Sequence, residues 1–209
     1  MSEIKTVACL GSGKGRLGEP AYNAMMEVGG LLAKRGVTVF TGGFGGVGME
    51  APARGAGNAG GKSEGFTMWG MKGNPYLERC FDCRTEYSKH AFTEDGFPTL
   101  HYPEPEVEFG IRLGLLMEQD AFIVAWDTTS LGTMIELMTI IKLNIALWIP
   151  GGKPKRLAIL TRQGGENFHV YNRIREGFLI VLKEEEIRNL LFVSYSPQKV
   201  VSWVLDGKQ

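Results

Sequence analysis

The residues with the clearest chemical potential run Thr41-Gly42-Gly43-Phe44-Gly45-Gly46-Val47-Gly48, directly after the apolar stretch Val37–Phe40. Glycine has no Cβ, so a segment of this composition can turn peptide N–H groups into a concave anion site without steric penalty. Gly42, Gly43, Gly45, Gly46 and Gly48 are therefore candidate phosphate contacts. A small-residue helix expected from about Val47 to Gly57 would aim its positive end at the same spot. A second turn, Thr128-Thr129-Ser130-Leu131-Gly132-Thr133, follows another apolar run and opens another helix. There Thr129, Ser130, Gly132 and Thr133 offer O–H and N–H donors to an anion. A third, Gly11-Ser12-Gly13, suits contact with a base, ribose or phosphate through Gly11 and Ser12, and is explained equally well as a plain strand-to-helix turn. Together they point to a nucleotide or sugar-phosphate pocket.

Two charged residues on the expected helices are further candidates. Glu136 lies three residues beyond Thr133, in the first turns of its helix, and would lean back toward whatever the turn binds. The alternative is a capping box in which Thr133 and Glu136 satisfy backbone N–H groups. Arg112 sits among Phe109, Ile111, Leu113, Leu115 and Leu116. It is either paired at a cleft or facing solvent, and spacing alone favours solvent. Cys80-Phe81-Asp82-Cys83 lacks the second ligand pair of a zinc site, and His90, His101 and His169 show no ligand spacing. Gly43–Gly48 and Gly13–Gly18 both fit G-x-G-x-x-G. The dinucleotide motif, however, needs its glycines after the first strand and an acidic residue ending the second. Glu64 precedes the third strand instead, and Lys14 is followed by glycine where a P-loop has serine or threonine. Neither a cofactor nor a metal is expected.

Such turns need strands to deliver them and helices to leave them. Thr6–Leu10 reads as a buried parallel strand, Pro20–Arg35 as a helix stopped by Gly36, and Val37–Phe40 as the second strand. Phe66–Trp69 reads as a third strand, and Gly70 to Pro105 as an insertion with little regular structure. A helix over about Glu106–Gln119 leads into a strand at Ala121–Trp126. A helix over Met134–Leu143, strands at Ile145–Ile149 and Phe178–Leu182, and an amphipathic helix over Pro197–Leu205 complete the pattern. The alternation predicts an α/β fold with a doubly wound, Rossmann-like parallel sheet, helices on both faces, and a single domain over residues 1–209.

Composition narrows the classes. Lys plus Arg and Asp plus Glu are 23 each, so no net field recruits nucleic acid or an anionic membrane. Three cysteines cannot all pair, and the amino terminus lacks the pattern of a signal peptide. With no apolar run near the ~20 residues of a membrane span, the expectation is a cytoplasmic protein.

The motifs together resemble the LOG family, often labelled "lysine decarboxylase-like", within a wider group that includes molybdenum-cofactor carrier-like proteins. Thr41 to Glu50 is similar to that family's G-G-G-x-x-G-L-M-G turn, and Ala51–Ala56 to the small-residue helix behind it. Asp120–Val124 is similar to the family's strand, and Gly132, Thr133 and Glu136 match its P-G-G-x-G-T-x-x-E, where Thr128-Thr129-Ser130 stands for P-G-G. The resemblance implies hydrolysis of the N-glycosidic bond of a nucleoside 5′-monophosphate. Glu136 would activate water, Arg112 would match the catalytic arginine, and the glycine turns would hold phosphate. It also implies a homodimer. The rival expectation, from the carrier-like members, is a protein that carries or senses a phosphorylated ligand without turnover.

Overall fold

A computed structural model describes residues 3–68, 70–83, 105–125, 130–148, 153–162, 176 and 183–207. Seven strands, β1 (Thr6–Leu10), β2 (Thr38–Thr41), β3 (Ser63–Thr67), β4 (Arg79–Asp82), β5 (Ala121–Ala125), β6 (Arg156–Leu160) and β7 (Leu191–Ser194), form one sheet in the order β4-β3-β2-β1-β5-β6-β7. Every pairing is parallel. The described helices are α1 (Pro20–Lys34), α2 (Glu50–Asn58), α3 (Pro105–Met117), α4 (Leu131–Trp148), α5 (Glu184–Leu190) and α6 (Pro197–Asp206).

Both faces of the sheet are covered, and the strand residues alternate between them as a period of two requires. Val7, Cys9, Val39, Ile123, Ala158 and Leu160 pack with α1, α2 and α6. Ala8, Leu10, Phe122, Val124, Leu157 and Ile159 pack with Leu116 and Met117 of α3, Leu137 and Ile140 of α4, and Ile187 of α5. The chain leaves β1 through α1 on one face and leaves β5 through α4 on the other. The point where strand order reverses therefore lies between β1 and β5, which pair from Val7↔Ala121 to Leu10↔Val124. In open α/β sheets ligands bind beyond the carboxyl ends of the strands at that position.

The doubly wound α/β fold matches the sequence-based expectation, while several elements are displaced. Of the strand expected at Ile145–Ile149, residues 145–148 are the last part of helix α4 and Ile149 lies outside the described residues; the strand is Arg156–Leu160. A short apolar run does not separate a buried strand from a buried helix. Asn144, fully buried on α4, settles the geometry: its Nδ2 donates to the Lys155 carbonyl (2.8 Å) and its Oδ1 accepts from Lys155 N–H (2.9 Å), tying the helix to the approach to β6. The third strand is Ser63–Thr67 and starts earlier than expected, because Ser63-Glu64-Gly65 is drawn into the ladder beside Val39, Phe40 and Thr41 despite poor strand propensity; Trp69 lies outside the described residues. The segment expected to lack regular structure supplies edge strand β4. Helix α2 begins at Glu50 instead of Val47, and α5 and β7 were not expected. The proposed strand at Phe178–Leu182 lies outside the described residues.

Candidate functional site

The turns after β1 and β2 interlock backbone to backbone. Val47 N–H donates to the Lys14 carbonyl (2.9 Å) and Gly48 N–H to the Ser12 carbonyl (3.2 Å), while Lys14 N–H donates to Ser12 Oγ (3.0 Å). Gly46 has φ +88°, and a Cβ there would overlap the backbone of Gly13. A Cβ on Gly48 would overlap the backbone of Gly11. Glycine at 46 and 48 thus lets one turn lie flat on the other, and the N–H groups of Val47 and Gly48 are spent on protein carbonyls. Asn74 braces the turn from outside: its backbone N–H donates to the Gly43 carbonyl (2.8 Å) and its Nδ2 to the Phe44 carbonyl (2.9 Å). Gly43 N–H donates to Thr41 Oγ1 (3.1 Å).

Helix α2 does not present a bare positive end. Its first residue is Glu50, whose Oε1 accepts from Tyr22 Oη at 2.6 Å, and Gly45 lies against the same carboxylate. Helix α4 differs. Its first turn carries no acidic residue, and Ser130 is the cap, its Oγ accepting from Thr133 N–H (3.3 Å) and lying 3.0 Å from Thr133 Oγ1. The cap is thus Ser130 with Thr133, not Thr133 with Glu136. Thr129 lies outside the described residues, and Gly132 sits in the first turn beside Ser130.

Arg112 and Glu136 meet between the two helices of that face. Both side chains are 8% exposed, with Arg112 Nη1 3.5 Å from Glu136 Oε1. The solvent-facing reading of Arg112 is therefore corrected: it points inward from α3, held by strand ends that spacing along one helix cannot reveal. Its Nε donates to the Phe66 carbonyl (2.9 Å), its Nη2 donates to the Gly42 carbonyl (3.0 Å), and the guanidinium stands 5.6 Å from the Phe44 ring centroid. Its shortest bonds go to Gly42, the residue after β2, and to Phe66 of β3, so it fixes the glycine turn as well as facing Glu136.

Burial sets the chemistry of the pair. It pushes the Glu136 carboxyl up to about 7, and Arg112 only partly pulls it back. Burial likewise lowers Arg112 from its ordinary value, opposed by Glu136. A carboxyl poised near neutrality is suited to taking a proton from water. Glu108, one turn before Arg112 on α3, and the thiol of Cys83 are also buried. Burial pushes Cys83 up to about 12, against the pull of Arg112. Glu108 belongs to no motif in the sequence, and Cys83 enters one only through the C-x-x-C pair. Among the described residues no cluster of His, Cys, Asp and Glu is arranged to hold a metal ion.

The structure thus brings together Gly11, Ser12, Gly46 and Gly48 in one interlocked turn pair, and Gly42, Arg112 and Glu136 in a buried cluster beside it. Gly43 and Gly45 belong to the turn wall, while Ser130, Gly132 and Thr133 form the start of α4. Residues 4–76, which include the first two turns, match the SLOG cluster4 family. No curated protein matches the chain by sequence. Among solved structures, TM1055, a structural genomics target, is similar with TM-score 0.62 and 23% identity, covering 95% of this chain and 97% of its own. The molybdenum cofactor carrier protein of Chlamydomonas reinhardtii gives 0.60 and 17%, covering 98% and 99%. DNA processing protein A of Helicobacter pylori, described as binding single-stranded DNA, gives 0.61 and 13%, covering 99% and 83%. The fold is accordingly LOG-like and molybdenum-cofactor-carrier-like. No helix among the described residues is long and apolar enough to cross a membrane.

Proposed function

We propose that this chain binds a nucleotide or similar phosphorylated small molecule beyond the carboxyl ends of β1, β2 and β5, and hydrolyses the N-glycosidic bond of a nucleoside 5′-monophosphate. The phosphate lies at the Ser130–Thr133 start of α4, where no acidic side chain opposes it in the first turn, next to Gly11 and Ser12. The glycines Gly42, Gly43, Gly45, Gly46 and Gly48 build the wall. Glu136 activates the attacking water and Arg112 holds that carboxylate in place, so that positioning and charge supply most of the rate. As the C–N bond breaks, the base leaves with the bonding electron pair and the oxocarbenium-like sugar is captured by water; Glu136 takes the water's proton, which passes to the departed base and leaves the carboxylate ready again. The observation that carries this reading is the buried Arg112–Glu136 pair with its carboxyl near 7, on a helix that starts at the strand-order reversal.

The second reading, a carrier or sensor that holds its ligand without turnover, is favoured by one feature. Arg112 spends its shortest bonds on the Gly42 and Phe66 carbonyls, as a purely structural clamp would. Incubation with nucleoside 5′-monophosphates separates the two. Ligand-induced stabilisation with release of free base supports the hydrolase, and stabilisation without release supports the carrier. Under either reading the chain acts as one domain in the cytoplasm, without a cofactor, and forms a homodimer. Leu131, Ile135 and Met138, exposed along the outer face of α4, are apolar surface that a second copy would cover.

A further inference from the structure

On the α1 side of the sheet, a cleft of about 240 Å³ opens between the start of α1 and the ends of β5 and β6. Pro20, Ala21 and Ala24 form one wall, Ala125 and Leu160 the floor, and Thr161, Arg162 and Tyr195 the rim. The cleft exists because three side chains stop at Cβ: Ala21 and Ala24 on one face of α1, and Ala125 at the end of a strand whose preceding residues are Phe122, Ile123 and Val124. The volume is below that of a whole drug-sized ligand pocket, roughly 300–1,000 Å³, and suits one ring system of a larger molecule.

Tyr195 is 58% exposed, yet its chain neighbours are pinned. Thr161 N–H donates to the Ser194 carbonyl (3.0 Å), Ser196 N–H donates to Ser194 Oγ (3.1 Å), and Ser196 Oγ caps α6 by accepting from Lys199 N–H (3.3 Å). An aromatic ring at the mouth of an apolar slot can stack a flat ligand, and Thr161 and Arg162 stand at the same rim. The cleft also adjoins the proposed phosphate position. Its floor residue Ala125 abuts Gly11, where an added Cβ would stand 3.1 Å from Ala125 Cβ. One ligand can therefore lie across the strand-order reversal, as ligands of open α/β sheets do.

We infer that this cleft is a subsite for a planar heteroaromatic ring, the base of the nucleotide, with Tyr195 as its stacking platform. The inference deepens the nucleotide reading and rests on it for the position of the phosphate, while the cleft makes a claim of its own. The test is calorimetric titration of adenosine, guanosine, cytidine and uridine, their 5′-monophosphates, and ribose 5-phosphate, on the intact protein and on Ala24→Leu and Tyr195→Ala. Ala24→Leu fills the slot. Tyr195→Ala alters an exposed side chain, which keeps the test informative should the first variant misfold. At least one nucleoside and its monophosphate are expected to bind and to weaken about tenfold or more in both variants, as loss of one base–aromatic stack predicts, with ribose 5-phosphate unaffected. Unchanged nucleoside and nucleotide affinities in a folded variant would overturn the subsite, as would ribose 5-phosphate binding without any nucleoside or nucleotide binding, or no binding at all. Nucleoside binding that depends on Ala24 and Tyr195, with no contribution from the phosphate, would keep the subsite and defeat the phosphate reading.

Discussion

Glu136 and Arg112 show why a single pair can be both structural and chemical. The carboxylate is buried beside a guanidinium whose shorter bonds belong to main-chain carbonyls, so burial outweighs attraction and its pKa rises to about 7 from 4.5. The folded state then keeps a proton that the unfolded chain loses between those values. The stability this group contributes is full below about pH 4.5 and is lost as pH rises through about 7. Melting temperature measured across that window should therefore fall less steeply in Glu136→Gln than in the parent, and equal slopes would show that Glu136 titrates elsewhere. Base release should rise with pH through the same range, because the base must be ionised to accept a proton. Arg112→Met should cost about 2–4 kcal/mol, since it takes the donor away from the Gly42 and Phe66 carbonyls while Glu136 is left to take up a proton. A shift on the order of 10 °C in thermal melting is the corresponding readout, and a shift within a degree of the parent would contradict the clamp.

The glycine turn illustrates what is legible at the level of elements. Its place after a strand and before a helix could be read from Val37–Phe40 and Ala51–Ala56, and the structure confirms that placement. The partner of the close approach could not be read. Sequence suggests that the glycines face a phosphate, whereas Gly46 and Gly48 face the backbone of Gly13 and Gly11. Contacts between loops from different strands depend on topology, which a local pattern does not encode. Gly48→Ala should separate the two turns at a cost of about 1–3 kcal/mol, as overpacking a tight contact does. Urea denaturation measures that loss, and an unchanged midpoint would mean the turns part freely. The misplaced strand at Ile145–Ile149 has a related cause. An apolar stretch in a helix buried on one side and apolar on the other carries no amphipathic signature, and the Asn144–Lys155 bonds that fix its end are non-local to that stretch. Arg112 was legible as a residue of interest and illegible as a clamp, since its partners Gly42, Phe66 and Glu136 come from three other elements.

At the scale of the molecule, the parallel sheet in the order β4-β3-β2-β1-β5-β6-β7 delivers the turns after β1 and β2 to the same end. The α/β alternation made that architecture readable from sequence, while edge strands β4 and β7, short and weakly patterned, escaped it. Equal counts of acidic and basic residues give the chain no formal net charge. A homodimer closing over Leu131, Ile135 and Met138 should scatter light with twice the chain mass. Ile135→Glu should shift it to the monomer, and a monomeric parent would remove that part of the account. The most direct measurement of the central claim is chromatographic detection of free base from a panel of nucleoside 5′-monophosphates, with the parent protein and Glu136→Gln compared at a pH above 7. The account predicts release of base and ribose 5-phosphate by the parent and a loss of about 100-fold or more in the variant. No release from any monophosphate, or equal release by both proteins, would contradict it.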